Sequence, residues 1–369
     1  EVSKELLKRG HEVTIFTSDI YTEVPWERRE EWNDDELGIN VKRFPALRKE
    51  LLFFRSPKIP AMLPSLIGSD CELYHAHSHR YHHLFLSARA HKITKKPLIV
   101  TPHYHPYERN VNLLKKAFMA LQDFYFGAKV YRNANRIICL TDFEEKIMSR
   151  FAPANKCVIV PNGISMEEWQ DIPDSTLFRN KYNINDRYIL YAGRLASNKG
   201  LDFLIRTAAR VDEECKFILL GKDWGEKEKL INLTKKLKIE SKIIFIDYID
   251  DFEIYKSAIN GCEIFILPSE WEAFGIVLLE AMICKKPVIG TNVGGIPGVI
   301  KDSETGYIVN YGDINELSKK IKHLLTDKEL RKKIGEKGRA VVLENFLWNK
   351  VVDKIEKIYK ETLEHYNFY

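Results

Sequence analysis

Two carboxylates lie in and just after a turn where a phosphorylated ligand could bind. Glu272 follows the strand-like run 263–268, and Gly275 lets the backbone approach a ligand closely. The helical pattern that starts at Ile276 turns free backbone amides toward the same turn, which suits a phosphate or sugar oxygen. Glu280 lies inside that helix among apolar neighbours, so its carboxylate needs either a protein partner or a ligand hydroxyl.

A second turn carries two cations. Arg194 and Lys199 lie at the end of the strand-like run 188–195 and just before a helical pattern that starts at Leu201. Helix-end amides combined with fixed positive charge are what a pyrophosphate requires. The glycine spacing fits neither the dinucleotide fingerprint nor the nucleoside-triphosphate loop. A solvated turn with no ligand is the alternative interpretation.

Histidines follow two further strand-like runs. His77 ends the run 73–77, and His103 and His105 follow the run 97–101. Ligands of open parallel α/β sheets bind beyond the carboxyl ends of the strands, where an imidazole can donate to a hydroxyl or phosphate. Neither a carboxylate nor a cysteine completes a metal-ligand set here, so no metal is expected. A structural role for His103 and an exposed loop position for His105 are the alternatives.

The two turns resemble those of retaining GT-B glycosyltransferases, in particular glycosyltransferase family 4. The pattern Leu-Pro-Ser-x-x-Glu-x-Phe-Gly-x-x-x-Leu-Glu-Ala-Met contains Glu272 and Glu280, and Gly-Arg-Leu-x-x-x-Lys-Gly contains Arg194 and Lys199. The resemblance implies that Arg194 and Lys199 bind the donor diphosphate and that Glu280 binds the ribose. It also implies that Glu272 and His103, the latter in a Thr-x-His context, are catalytic residues at the donor sugar.

Further site positions follow from the same resemblance. It implies contacts to the donor sugar from Phe274, Gly275 and Ile276, and it places His77 and His105 on the donor or acceptor side. It also places the nucleobase near 246–249. The loop 294–297 resembles one near the donor phosphates.

The predicted fold is α/β with mostly parallel sheets, because strand and helix patterns alternate through a chain long enough for two domains. The resemblance implies a GT-B fold, in which two Rossmann-like domains face each other across a cleft. The expected domains are an acceptor-side domain over 1–165 and a nucleotide-sugar-binding domain over 166–344. A terminal helix over 345–369 would cross back to the first domain. In the family a first strand and a Gly-rich loop precede the segment matching 6–15, so both are expected to be missing here.

Composition limits the range of partners. A net charge of +5 with well-mixed acids and bases does not indicate nucleic-acid binding, and no apolar run reaches the ~20 residues of a membrane span. No secretory signal is visible, and six scattered cysteines predict reduced thiols in a cytoplasmic protein. Apolar residues with flanking bases at 51–63 and 112–132 are interpreted as packed segments. Peripheral contact with the inner face of the cell membrane is the alternative for both.

The predicted activity is retaining transfer of a sugar, a hexosyl group by expectation, from a UDP- or GDP-linked donor. The acceptor would be a hydroxyl of a glycan, a glycolipid or a small molecule. No cofactor and no metal is expected, because Arg194, Lys199 and helix-end amides would stabilise the leaving diphosphate. A GT-B sugar-nucleotide epimerase and a non-catalytic nucleotide-sugar-binding protein are the alternatives.

Overall fold

The structure is a computed structural model that describes residues 1–23, 26–28, 38–47, 58–106 and 112–366. The chain forms two compact units. The first contains Glu1–Pro161 and Trp348–Tyr369, and the second contains Asn162–Leu347. Each unit has its own parallel sheet with α-helices between most of its successive strands, so the predicted α/β class is confirmed.

Strands and helices alternate along most of the chain. The strands of the described residues are β1 Thr14–Ser18, β2 Ile20–Glu23, β3 Trp26–Arg28, β4 Asn40–Phe44, β5 Tyr74–His77, β6 Leu98–Thr101, β7 Arg136–Cys139, β8 Cys157–Ile159, β9 Tyr188–Ala192, β10 Lys216–Leu220, β11 Ile243–Ile246, β12 Ile264–Leu267, β13 Val288–Thr291 and β14 Gly306–Val309. The α-helices are α1 Val2–Lys8, α2 Met62–Ile67, α3 His82–Thr94, α4 Leu113–Gln122, α5 Ala128–Asn133, α6 Asp142–Met148, α7 Met166–Trp169, α8 Thr176–Tyr182, α9 Leu201–Ala208, α10 Lys227–Leu237, α11 Phe252–Gly261, α12 Ile276–Ile283, α13 Ile314–Thr326, α14 Lys328–Asn345 and α15 Trp348–Tyr366.

The first unit contains a parallel four-stranded sheet in the order β5-β6-β7-β8. Strand β1 pairs in parallel with β4, and β2 pairs with β3 in an antiparallel ribbon. All four residues of β6 are buried, as expected for a parallel strand covered on both faces. Because β5 and β6 are neighbours, the residues that follow their carboxyl ends lie at the same edge of the sheet.

Helix α15 completes the core of the first unit. Its buried residues Val351, Ile355 and Ile358 recur at helical spacing and pack with Ile99 of β6 and Ile138 of β7. The C-terminal segment therefore belongs structurally with the N-terminal part of the chain.

The second unit is a parallel six-stranded sheet in the order β11-β10-β9-β12-β13-β14. The strand order reverses between β9 and β12, the position at which open α/β sheets bind their ligands. Strands β9 and β12 pair through Ile264 with Ile189 and Phe265 with Leu190. The turns that follow these two strands are therefore brought to the same edge of the sheet.

The helix predicted over 112–132 differs from the one observed. Helices α4 and α5 are joined by a π-helix over Asp123–Gly127, which inserts extra backbone into the helical path. The prediction that the apolar residues of this segment pack in the core is wrong for four of them, which are exposed: Leu113, Leu114, Leu121 and Phe124. Helical periodicity locates an apolar face, but it does not identify what covers that face.

The other apolar and basic segment is described only in part. Residues 51–54 lie outside the described residues. Ile59 and Met62 are buried in the core of the first unit, as the packed interpretation predicts. All six cysteines are free thiols, and five of them are buried. Among the described helices, none is both long and apolar enough to span a membrane.

Candidate active site

The turn after β9 places Lys199 at the edge of the second unit. A short 3₁₀-helix over Ser197–Lys199 ends at Gly200, whose φ of 63° lies in the left-handed region. Backbone contacts fix this turn against the turn after β12, since the Glu270 amide donates to the Asn198 carbonyl at 2.9 Å. The two sequence motifs are thus joined through their backbones.

Glycine at position 200 is required by both its conformation and its surroundings. A Cβ there would lie 2.0 Å from the Pro268 carbonyl oxygen, a contact that forces the backbone to move. We expect Gly200→Ala to lower the free energy of unfolding by about 3 kcal/mol, from backbone strain plus overpacking. Urea denaturation would measure this loss of unfolding free energy. Gly312→Ala is the control, because a Cβ at Gly312 meets nothing within 4 Å, although φ is 88°. Equal losses in the two variants would contradict the packing argument.

Lys199 and Glu272 form an ion pair across the two turns. The Lys199 ammonium donates to Oε2 of Glu272 at 2.7 Å, and both side chains are largely buried, at 13% and 16% exposure. The structure therefore brings together a cation predicted for the diphosphate and a carboxylate predicted for the sugar.

The backbone of Glu272 is fixed by the loop after β13. The Gly295 amide donates to the Glu272 carbonyl at 2.9 Å, and a Cβ on Gly294 would lie 2.0 Å from that same oxygen. The loop 294–297, which sequence reasoning placed near the donor phosphates, thus contacts the turn that carries Glu272.

Arg194 lies at the same edge and is covered by an aromatic ring. Its guanidinium lies 4.4 Å from the ring centroid of Trp224, which follows β10 and is 44% exposed. Stacking of this kind holds the planar guanidinium while leaving its edge donors available. Trp224 is not among the residues predicted for the site, so only the structure assigns it this contact.

Glu280 has a protein partner from another helix. The Tyr255 hydroxyl of α11 donates to Oε2 of Glu280 at 2.5 Å. Burial raises the pKa of Glu280 to about 7, while the hydrogen bond from Tyr255 lowers it and the charge of Glu168 raises it. The carboxyl group is therefore poised to gain or lose a proton near neutral pH.

The residues between Glu272 and Glu280 differ in which of their atoms a ligand could contact. Phe274 is buried, and its ring contacts that of Phe346 at 6.1 Å between centroids, so it offers a ligand only its backbone. Gly275 has a φ of 89° and immediately precedes α12. Ile276, the first residue of α12, is 41% exposed. The amides at the start of this eight-residue helix point toward the turn that carries Glu272.

The segment predicted to lie near the nucleobase begins at the end of β11. Ile246 and Ile249 are buried, whereas Tyr248 is 65% exposed. Asp247 accepts from the Lys227 ammonium at 2.6 Å. The exposed part of this segment is therefore one aromatic ring and one paired carboxylate.

The first unit holds a pair of imidazoles at the carboxyl ends of β5 and β6. Nδ1 of His77 lies 3.2 Å from Nε2 of His103. Burial, and the repulsion that neighbouring histidines would exert if they were protonated, lower the pKa of each to about 4. Both rings are thus neutral at physiological pH, and one donates a single hydrogen bond to the other.

The backbone at His103 is held in an uncommon conformation. Its φ of 45° lies in the left-handed region, and the next amide, that of Tyr104, donates to Oε1 of Glu144 at 2.6 Å. The other oxygen of Glu144 accepts from the Leu140 amide. His105 is exposed, and its carbonyl accepts from Arg80 at 3.2 Å. Glu144 and Arg80 therefore hold the His103–His105 turn.

Several of these partners were missed by sequence reasoning. Tyr255, Trp224 and Glu144 lie far in sequence from the groups they contact, and a single sequence carries no signal for such pairs. Ser269 is buried, and its hydroxyl oxygen has no hydrogen-bond partner among the described residues. A buried polar atom of this kind beside Glu272 is a candidate ligand contact. Within the described residues, no three side chains of His, Cys, Asp or Glu are placed to hold a metal ion.

Two family models together match nearly the whole chain. Residues 1–168 match the model described as Glycosyltransferase Family 4, and residues 174–341 match Glycosyl transferases group 1. The chain belongs to glycosyltransferase family 4. The family to which the sequence motifs pointed is thereby confirmed.

One known relative matches about half of this chain. The N-acetyl-alpha-D-glucosaminyl L-malate synthase of Bacillus anthracis is 33% identical over 194 residues, which cover 52% of this chain and 50% of that protein. The matched region therefore spans about half the length of that relative.

Solved structures show the same fold. Sucrose-phosphate synthase from Thermosynechococcus elongatus matches with a TM-score of 0.77 at 20% identity, covering 99% of this chain and 92% of that one. HepE of Anabaena, solved in complex with UDP, matches with a TM-score of 0.77 at 17% identity, covering 95% of this chain and all of that one. The GT-B fold predicted from the motifs is thus confirmed.

Proposed function

We propose that the protein transfers a sugar from a nucleotide-sugar donor to an acceptor hydroxyl, with retention of the anomeric configuration and without a metal. The observation that carries the proposal is the ion pair of Lys199 with Glu272, which joins the turns after β9 and β12 at the switch point of the second sheet. Arg194 and Glu280 belong to the same two segments. The family assignment supports a nucleotide-sugar as the donor.

Each residue has a distinct task in this proposal. Lys199 exchanges Glu272 for a phosphate oxygen when the donor binds, and Arg194 supplies a second cation. As the bond between the anomeric carbon and the diphosphate breaks, negative charge grows on the leaving oxygen. The two cations and the amides at the start of α12 stabilise that charge. Once released from Lys199, Glu272 orients the sugar, and Glu280 accepts from the ribose hydroxyls.

The groups of the first unit are proposed to act on the sugar and the acceptor. His103 is neutral because its pKa is lowered to about 4, so it can donate one hydrogen bond to a sugar hydroxyl without adding charge. His77 fixes the orientation of that ring through its contact at 3.2 Å. His105, which is exposed, is assigned to the acceptor side.

UDP-sugars are the first donors to test. HepE, which shares the fold, has been solved with UDP and with UDP-glucose. The acceptors are proposed to be glycan, lipid-linked or small-molecule hydroxyls, in line with relatives named for L-malate and for a diphospho-undecaprenol acceptor.

Transfer and stereochemistry can be tested in one experiment. The protein is incubated with UDP-glucose, UDP-N-acetylglucosamine or GDP-mannose and a panel of acceptors in the presence of a chelator. Proton NMR then reports release of the nucleoside diphosphate and the configuration of the product. We expect an α-linked product from an α-linked donor, with full activity in chelator. An inverted product, or activity that requires added metal, would contradict the proposal. Donor consumption without any acceptor would indicate an epimerase.

A further inference from the structure

An apolar stripe runs along the exposed side of the helical segment that follows the His103–His105 turn. We define the α4 stripe as Leu113, Leu114, Leu121 and Phe124. The exposed fractions of these residues are 82%, 82%, 55% and 65%. At 100° per residue, Leu113, Leu114 and Leu121 fall within one sector of α4, and Phe124 follows in the π-helix. Three exposed leucines on α4 and an exposed phenylalanine in the adjoining π-helix indicate a surface that binds a partner.

The residues that directly follow α4 are packed into the first unit. Asp123 is buried, and its carboxylate binds Arg80 at 2.6 Å and Nε2 of His79 at 3.1 Å. Val130 and Tyr131 of α5 lie in the core. These contacts fix the π-helix and α5, whereas the exposed side chains of the α4 stripe lie outside the core of the unit.

The segment that carries the α4 stripe has a net positive charge. Residues 112–136 contain five Lys or Arg residues and a single acid, Asp123. That acid is buried and paired, whereas Lys129 and Arg132 are exposed on α5, directly beyond the π-helix. Exposed apolar side chains next to cations suit the boundary between the headgroups and acyl chains of an anionic bilayer.

We propose that the α4 stripe docks the first unit on an anionic lipid surface. The apolar side chains enter the interface, while Lys129 and Arg132 attract the anionic headgroups. Because Asp123, directly after α4, binds His79 and Arg80 just beyond the end of β5, docking brings the edge that carries His77 and His103 close to the membrane. This deepens the proposed function, on which it rests, by making a lipid-linked molecule the acceptor class.

Vesicle co-sedimentation tests the proposal. The probes are vesicles of phosphatidylcholine alone and of phosphatidylcholine mixed with phosphatidylglycerol. The double variant Leu113→Asp/Leu121→Asp removes half of the α4 stripe. Its control, Leu177→Asp/Asn232→Asp, adds the same charge at exposed helix positions of the second unit. We expect the wild type and the control to bind the anionic vesicles alike. The α4 variant should partition at least about tenfold less. Added salt should weaken wild-type binding.

Three outcomes would overturn the proposal. Equal binding of wild type and the α4 variant would show that the stripe does not enter the interface. A melting temperature much lower in the α4 variant than in the control would show that the stripe packs against the chain itself. A dimer in sedimentation that the variant abolishes would assign the stripe to a second copy.

Titration of UDP into the same variant separates this proposal from the donor site. If the α4 variant binds UDP normally but no longer binds vesicles, docking is supported. If the wild type does not bind UDP, that result counts against the proposed function alone.

Discussion

Replacing Lys199 by alanine should lower kcat/KM for sugar transfer by about 10²- to 10³-fold. The variant removes one of two cations proposed to stabilise the leaving diphosphate. It also leaves Glu272, which is 16% exposed and paired with Lys199, as an unpaired carboxylate beside the phosphates. Two like charges about 4 Å apart near a protein surface repel each other by about 4 kcal/mol before relaxation. The loss should therefore exceed that of an ordinary surface cation.

A second substitution separates the two contributions to this loss. Glu272→Gln in the Lys199→Ala background removes the repelling charge, so the affinity for UDP should partly recover although transfer stays slow. Lys322→Ala is the matched control, since Lys322 pairs with Asp212 at 2.8 Å on an exposed surface. We expect the control to change kcat/KM by less than about threefold. Steady-state kinetics and UDP titration are the measurements, and near-wild-type kinetics for Lys199→Ala would contradict the assigned role.

Replacing Glu280 by glutamine should make the protein more stable near pH 8 and weaken its nucleotide binding. Burial raises the pKa of Glu280 from its ordinary 4.5 to about 7. Between these values the folded state holds a proton that the unfolded state releases, so stability falls as pH rises. The total loss is about 3 kcal/mol, at 1.36 kcal/mol for each pH unit. Glutamine carries no charge, so Glu280→Gln should escape this loss above pH 7 and match the wild type near pH 4.

The affinity for nucleotide should change in the opposite direction to the stability, both when the pH is raised and when Glu280 is replaced by glutamine. Ribose hydroxyls donate to the ionised carboxylate, so binding lowers its pKa and releases a proton near neutral pH. The affinity of the wild type for UDP should rise with pH up to about 7 and then level off. Glu280→Gln should bind at least about tenfold more weakly, without that pH dependence. Calorimetry in buffers of different ionisation enthalpy measures the proton release.

Tyr255→Phe provides the control for the Glu280 titration. It removes the hydrogen bond that favours the ionised carboxylate while leaving the carboxyl group in place. The pH dependence of UDP affinity should therefore move to higher pH in this variant. The account of Glu280 fails if glutamine leaves both the melting temperature near pH 8 and the UDP affinity unchanged.

The strands and helices of the second unit could be predicted in outline from the sequence, because each is specified by a local pattern of residues. The strand-like runs before Arg194 and Glu272 are observed as β9 and β12, and the helical pattern from Ile276 is observed as α12. Parallel pairing of β9 with β12 then brings the two turns together. Sequence spacing cannot show the pairing of Lys199 with Glu272, because it depends on the neighbour order of strands far apart in the chain.

Other features depend on tertiary contacts that carry no local pattern. The Tyr255 hydroxyl reaches Glu280 from α11, and Glu144 reaches the amide after His103 from α6. The apolar residues of 113–124 follow the periodicity expected of a core helix, yet Leu113, Leu114, Leu121 and Phe124 are exposed. Periodicity describes a helix face equally well whether protein, lipid or water covers it.

Titration of UDP and GDP into the purified protein in chelator tests the donor site most directly. Arg194→Ala and Glu280→Ala are titrated alongside the wild type. We predict that one nucleotide binds with micromolar affinity without metal, and that each variant loses more than about 1.4 kcal/mol, which is a tenfold loss. If neither nucleotide binds, or if binding requires a divalent metal, then Arg194, Lys199, Glu272 and Glu280 do not form the donor site.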